Sequence, residues 1–334
     1  MATQTGPTSA THVSWRTYLA VCKLKVVAHI VFTAVIGMFL SVPGMPPLTT
    51  VFWGSLGIGL AAASAAALNH VLDRRADAEM KRTQNRPLVT GHIAPVQVVI
   101  FALILGALSM AVLFAFVNSL TAVLTFLSLI GYAVIYTVYL KRATPQNIVI
   151  GGAAGAAPPV LGWCAVTANI HPYALLLFLL IFIWTPPHFW AYAIAKKDDY
   201  AKVNIPMLPV THGVAITQLH ILLYTILLVL VSLLPYLTGM SGLIYLAAAV
   251  ALGSGFVRHA MRLKKTPDPK VAMKTFGYSL VYLVGIFSAL LIDHYLLPQP
   301  AARVVPLHAT TSLVHPYGAE NFAGSIHSVL DVGL

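Results

Sequence analysis

Residues 26–72 read VVAHIVFTAVIGMFLSVPGMPPLTTVFWGSLGIGLAAASAAALNHVL and contain no Asp, Glu, Lys or Arg. A helix that crosses a membrane needs roughly 20 apolar residues, so this stretch holds two, with Pro43-Gly44 and Pro46-Pro47 as the turn between them. The pattern recurs. Residues 87–140, 143–195 and 203–257 are also free of charge, and a shorter run covers 275–292. Turn signals at Asn118-Ser119, Asn169 to Pro172 and Gly239 to Gly242 divide the long runs. The spacing predicts nine helices, near 26–42, 50–70, 95–116, 120–140, 146–166, 173–195, 214–236, 242–262 and 275–293.

Composition agrees. The chain is 58% hydrophobic and 9% charged, against about 25% charged in an ordinary soluble domain. It cannot cover a water-facing surface, so lipid must solvate most of it. The net charge of +11 falls in short clusters between apolar runs, which excludes a continuous nucleic-acid-binding face. The expected fold is all-α: a polytopic membrane protein with nine transmembrane helices around a central cavity.

Charge also predicts orientation. With a cytoplasmic N-terminus, the cytoplasmic segments carry every one of the 20 Lys and Arg residues except Arg303, as the positive-inside rule requires. The first 15 residues have no apolar core and no Arg, so no cleaved signal or transit peptide is expected, and a bacterial inner membrane fits. Three parts are expected: a polar N-terminal tail 1–15, a membrane domain 16–296 and a polar C-terminal tail 297–334. His308, His315 and His327 in that tail have no ligand spacing. Cys22 and Cys164 fall at opposite membrane faces, so neither a disulfide nor a metal pair is expected.

The chemistry is expected in the charged loops. Of 9 acids in the chain, Asp73, Asp77, Glu79, Asp198 and Asp199 occupy two short clusters about 120 residues apart, a coarse echo of two halves facing one cavity. Asn69, Asp73 and Asp77 stand at i, i+4 and i+8, which puts three oxygen donors on one helical face. Mg2+ takes such carboxylates together with substrate phosphates. Lys81, Arg82 and Arg86 follow directly and suit a diphosphate. Lys141 and Arg142 close helix 4, and Lys23 and Lys25 enter helix 1. A positively charged anchor loop would explain the cations alone. It would not explain acids near membrane depth, where they are expensive and usually functional.

Before the second acid cluster stands Trp184-Thr-Pro-Pro-His188-Phe-Trp190. A Pro-Pro pair is expected to break that helix and line a cavity. His188 reads equally as a site-lining or a buried, hydrogen-bonded histidine. Gly151, Gly152, Gly155, Pro158, Pro159 and Gly162 read as a close-packing helix surface.

At this point the motifs resemble one superfamily, the UbiA-type intramembrane prenyltransferases, whose first motif is Asn-x3-Asp-x3-Asp. Within it, four strings resemble the heme O synthase branch: 69–88 ending in MKRTQNRPL, 136–163 as YTVYLKRATPQNIVIGGAAGAAPPVLGW, 184–190 as WTPPHFW and 199–209 as DYAKVNIPMLP. The matches span most of 16–296. The resemblance implies a nine-helix bundle, Mg2+ held by Asn69, Asp73 and Asp77, farnesyl diphosphate as donor and heme B as acceptor. Heme O would be the product, handed to heme A synthase or to terminal-oxidase assembly factors. Asp199 matches the branch's Asp-Tyr, with Asp198 as an extra neighbour; the second motif is reduced, which puts a second metal in doubt. The diphosphate partners would be Lys81, Arg82, Arg86, Lys141, Arg142 and Lys23. Heme would meet Trp184 in a flat slot with Phe189, Trp190 and Tyr192, and His188, His212 or His29 on its iron. The branch has Pro after its first basic residue, where this chain has Leu24, so no Pro-made kink is expected there. Three other readings stay open: prenylation of a quinone precursor or a chlorin, transport, and an oxidase-assembly scaffold. A transporter should carry charge at mid-bilayer in several helices; here it sits at helix ends. Mg2+-dependent diphosphate release separates an enzyme from a transporter or scaffold.

Overall fold

The computed structural model describes residues 13–296; the tail 297–334, with His308, His315 and His327, and most of the tail 1–15 lie outside them. All secondary structure among the described residues is helical. In chain order the elements are α1 Trp15–Val21, α2 Leu24–Leu40, α3 Leu48–Leu72, α4 Arg74–Glu79, α5 Pro95–Phe116 and α6 Ser119–Ile130, which continues as a π-helix over Gly131–Leu140. There follow α7 Lys141–Ala143, α8 Asn147–Ala156, α9 Pro158–Thr167, α10 Pro172–Ala195, α11 Lys197–Lys202 and α12 Leu208–Thr211. The last four are α13 Gly213–Ser232, α14 Leu234–Leu237, α15 Leu243–Lys265 and α16 Pro269–Leu296.

Among the described residues, 8 helices are long and apolar enough to cross a membrane, and α1 with α2 makes a ninth as a pair bent by 58°. The nine expected spans are therefore present, with ends close to those read from the turn signals. Local chemistry sets those ends. Asn118 caps α6 by accepting from Thr121 N at 2.9 Å. Pro95, Pro158 and Pro172 open α5, α9 and α10, where a missing N–H is no loss. Leu103, Phe114, Leu230, Val250 and Val281 project outward and exposed, a surface that only lipid can solvate.

The spans alternate in direction, so the charged segments between them, the longest from Leu72 to Pro95 and from Ala195 to Gly213, collect at one end. α2 packs on α9, α3 on α5, and α10 on α8, α13 and α16. α16 returns to α2, where Nε2 of His294 lies 3.0 Å from the Val42 carbonyl and the Tyr295 hydroxyl donates to Gly44 at 3.2 Å. The α2–α9 contact is nearly backbone on backbone. A Cβ on Gly37 would strike the Pro159 carbonyl, and one on Gly162 the Ala34 carbonyl. The close-packing reading of Gly162 thus holds, while Gly155 faces open space.

One local expectation needs correction. The Pro186-Pro187 pair does not break its helix: α10 runs unbroken through both. Pro186 and Pro187 are both buried, and Thr185 Oγ1 donates to the Ile181 carbonyl at 2.8 Å. The break falls instead at Ala157, where Pro158 starts a new helix. The N-terminal bend forms without proline, because Lys23 itself takes a left-handed conformation at φ 51°, a strained state for a side chain with a Cβ. Helix 4 is also not uniform, since its second half is the π-helix. Such segments often mark functional sites.

Candidate active site

Backbone bonds run from Asp73 N to Asn69 O (3.0 Å) and from Asp77 N to Asp73 O (2.8 Å). The i, i+4, i+8 face therefore survives the junction of α3 and α4. Asn69, Asp73 and Asp77 are 5%, 4% and 2% exposed. So much buried oxygen needs partners, and each residue has a cation from a different part of the chain. Lys23, at the α1–α2 bend, donates to Asn69 Oδ1. Lys141, at the end of the π-helix, pairs with Asp73 Oδ2. Arg86 pairs with Asp77 Oδ2. Asn69 Nδ2 donates to Asp73 Oδ2 at 2.9 Å and to Thr137 Oγ1 at 3.4 Å.

Residues outside the expected set hold this network. Thr83 is buried and donates to the Asp77 carbonyl at 2.9 Å, and Arg86 N returns to Thr83 O at 3.0 Å. That turn brings Arg86 back over Asp77. Thr137 sits on the π-helix with its hydroxyl on the Tyr132 carbonyl at 2.9 Å. Asn147 donates to the Lys141 carbonyl at 3.4 Å. Thr83 lay within the quoted 69–88 string but carried no charge; Thr137 needed the π register, which no periodicity reveals.

The remaining expected cations go elsewhere. Lys81 and Arg82 line a groove of about 530 Å³ with Lys196, Asp198, Asp199 and Lys202. Arg82 lies over the rings of Tyr192 (5.9 Å) and Tyr200 (5.3 Å). Tyr200 is buried on α11, and burial pushes its hydroxyl up to about 12. Arg142 is exposed and makes no hydrogen bond or ion pair within the described residues, so it is not part of either group.

The aromatic side lies deeper. The ring of His188 stacks between Trp184 (4.1 Å, 19°) and Phe276 (4.5 Å, 27°). Its Nδ1 is 2.6 Å from Ser279 Oγ, and Trp184 Nε1 donates to the Ser279 carbonyl at 2.8 Å. Phe189 stands edge-on to His188, and Tyr192 is edge-on to Phe189 and tilted 45° against Phe276. Trp190 does not belong to it. It is fully buried on another face of α10, against His220 and Tyr224. His212 is exposed and engages Thr211 Oγ1 at 2.8 Å. His29 is exposed on α2, with Nδ1 2.7 Å from the Lys25 carbonyl. Phe276 and Ser279 on α16 complete the stack, and neither stands in a recognisable string.

The arrangement can hold an anion with several negative oxygens beside a hard cation, next to a membrane interior. Comparison with known proteins agrees. The sequence profile of the UbiA prenyltransferase family matches residues 30–289. The protoheme IX farnesyltransferase of Methylococcus capsulatus is 77% identical over 296 residues, covering 89% of this chain and 99% of that protein. That of Thioalkalivibrio sulfidiphilus is 62% identical over 282 residues, covering 84% and 93%. Among solved structures, a digeranylgeranylglyceryl phosphate synthase superimposes with a TM-score of 0.70 at 19% identity, covering 84% of this chain and 98% of that one. A UbiA homologue from Archaeoglobus fulgidus bound to DMAPP and Mg2+ gives 0.56 at 15% identity, covering 82% and 99%. The nine-span architecture, the Asn-x3-Asp-x3-Asp face and these relatives agree: the chain belongs to the UbiA prenyltransferase family.

Proposed function

We propose that the protein transfers the farnesyl group of farnesyl diphosphate to a vinyl group of protoheme IX (heme B), giving heme O. The observation that carries the donor half is the buried cluster in which three oxygen donors on one helical face each meet a cation from a separate element. The acceptor half is supported by relatives at 77% and 62% identity that are named protoheme IX farnesyltransferase.

Mg2+ fits the donor set. Among the described residues no three His, Cys, Asp or Glu side chains form a metal cage, but Mg2+ uses one or two carboxylates and takes its other oxygens from substrate phosphate and water. Asp73 and Asp77 would hold it, with the Asn69 amide oxygen as a third donor. Bound there, it supplies positive charge to the departing diphosphate. The chain's own part is to turn its cations. Lys23, Arg86 and Lys141 leave their present partners and donate to the diphosphate oxygens, and their fixed positions favour the charge that develops as the allylic C–O bond breaks. Lys81, Arg82 and Arg142 are outside this set because they face elsewhere. Asp199 adds negative charge at the neighbouring groove.

The farnesyl tail lies among the spans. The porphyrin lies against Trp184, and His188 is the iron partner, since Ser279 occupies Nδ1 and leaves Nε2 for the metal. The terminal vinyl carbon bonds to the allylic carbon, water adds to the adjacent carbon, and a proton and diphosphate depart. The bacterial inner membrane, with the charged end in the cytoplasm and hand-over to heme A synthase or an oxidase-assembly factor, belongs to the same reading. The test is a mass spectrum of the products formed by purified protein with farnesyl diphosphate, Mg2+ and protoheme. Heme O that disappears in Asp73→Ala and Asp77→Ala is expected. A prenylated phenol from cell lipids, with no heme O, would assign the acceptor to another class.

A further inference from the structure

The charged turn between α15 and α16 takes no part in the chemistry above. Residues 258–274 hold six Lys or Arg residues against one acid, Asp268. That acid is already engaged, since its Oδ1 accepts from Lys270 N at 2.7 Å. Arg258, Arg262 and Lys274 are exposed, and none of them is in an ion pair among the described residues. Like charges held together without an anion repel.

Two ordinary explanations fall short. Orientation in the membrane asks for a number of cations and not for an arrangement. The negative end of α15 suits Arg262, but Lys270 stands in the first turn of α16, where the helix dipole disfavours a cation.

The arrangement is specific. On α15, Arg258 and Arg262 are one turn apart and share an outward strip with Ala251 and Gly255, which lie deeper in the span. On α16, Lys274 shares a strip with Tyr278 and Val281, again deeper. The two strips meet. Thr275, next to Lys274, donates to the His259 carbonyl at 3.4 Å, which sets Lys274 level with Arg258 and Arg262. Below them Tyr278 lies across the seam: its hydroxyl donates to the Leu252 carbonyl at 3.1 Å, and a Cβ on Gly255 would strike that hydroxyl. His259 stacks on the same ring at 4.5 Å and 22°. Three cations thus rim a flat aromatic floor, and a rail with exposed Ala251 and Val281 leads from it into the membrane span.

We propose that this notch on the outer seam of α15 and α16 binds one anionic phospholipid. Its phosphate is held by Arg258, Arg262 and Lys274, and an acyl chain follows the rail past Tyr278. A free anion would use the rim and leave the rail empty; a lipid uses both.

Native mass spectrometry of full-length protein in zwitterionic micelles, titrated with phosphatidylglycerol, phosphatidylcholine or inorganic phosphate, reads the site. One phosphatidylglycerol should be retained at concentrations where phosphatidylcholine is not. Lys274→Gln should weaken it about fivefold and Arg258→Gln/Lys274→Gln about 30-fold, as expected for the loss of one and two cations at a lipid surface. Lys264 points about 120° away from Arg258, and Arg142 lies on another helix. Arg142→Gln/Lys264→Gln therefore removes the same charge outside the notch and should leave retention unchanged. Thermal unfolding without phosphatidylglycerol should agree among the variants and wild type, which separates lost binding from lost fold; Lys274→Gln, the mildest change, carries the test where the double variant unfolds early. Equal losses in the two double variants overturn the proposal, because the whole charged end would then attract the lipid. Unchanged retention in Lys274→Gln and Arg258→Gln/Lys274→Gln also overturns it. So does inorganic phosphate that displaces the lipid at equal concentration, which would make the notch a free-anion site.

Discussion

Lys141→Met isolates what the donor cluster does for stability from what it does for chemistry. Lys141 and Asp73 form a pair whose side chains are 12% and 6% exposed. Deleting one partner of a buried pair leaves the other charge stranded, at about 3–5 kcal/mol; partial access at Lys141 places the expected loss near the lower end, about 3 kcal/mol. Met keeps the apolar stem, so little packing is lost. Adding Asp73→Asn removes the stranded charge. The Asn amide oxygen can still accept from Asn69 Nδ2, so the double variant should return to within about 1 kcal/mol of wild type. Activity should not return. Loss of one fixed donor to a developing anion costs about 100-fold or more, and the double variant also lacks a carboxylate. Unfolding in mixed micelles and heme O formation, measured on wild type, the single variant and the double variant, give the answer. A double variant as unstable as Lys141→Met would refute the pairing argument, as would a single variant within about 0.5 kcal/mol of wild type.

Three further outcomes are expected. Asp293 is fully buried and accepts from Ser241 Oγ (2.7 Å), Tyr245 N (3.1 Å) and Gly242 N at the start of α15; Asp293→Ala strands these donors and should lower stability by about 2–4 kcal/mol, read by thermal unfolding, with turnover per folded molecule intact because the site is at the other end. Gly162→Ala puts a Cβ on the Ala34 carbonyl; it should cost about 1–3 kcal/mol and, by displacing α2 and Lys23, raise KM for farnesyl diphosphate. Ser279→Ala frees His188 Nδ1, so the absorption spectrum of bound protoheme should shift while KM for farnesyl diphosphate stays fixed.

Much of this architecture is legible in the chain because lipid imposes simple rules. Charge can sit only at helix ends, so the gaps from Lys25 to Asp73, Arg86 to Lys141, Arg142 to Lys196, Lys202 to Arg258 and Lys274 to Asp293 count the spans. The Asn69–Asp73–Asp77 face is legible because helical spacing alone puts it together. What was not legible depends on tertiary context. Pro186 and Pro187 carry the same local penalty as Pro158 and Pro159, yet only the second pair ends a helix, because its helix can restart at an N1 proline while α10 is braced on several sides. The division of Lys81 and Arg82 from Arg86 was invisible for a similar reason. All three stand within six residues, and only the turn held by Thr83 sends Arg86 to Asp77 and leaves the others facing α11.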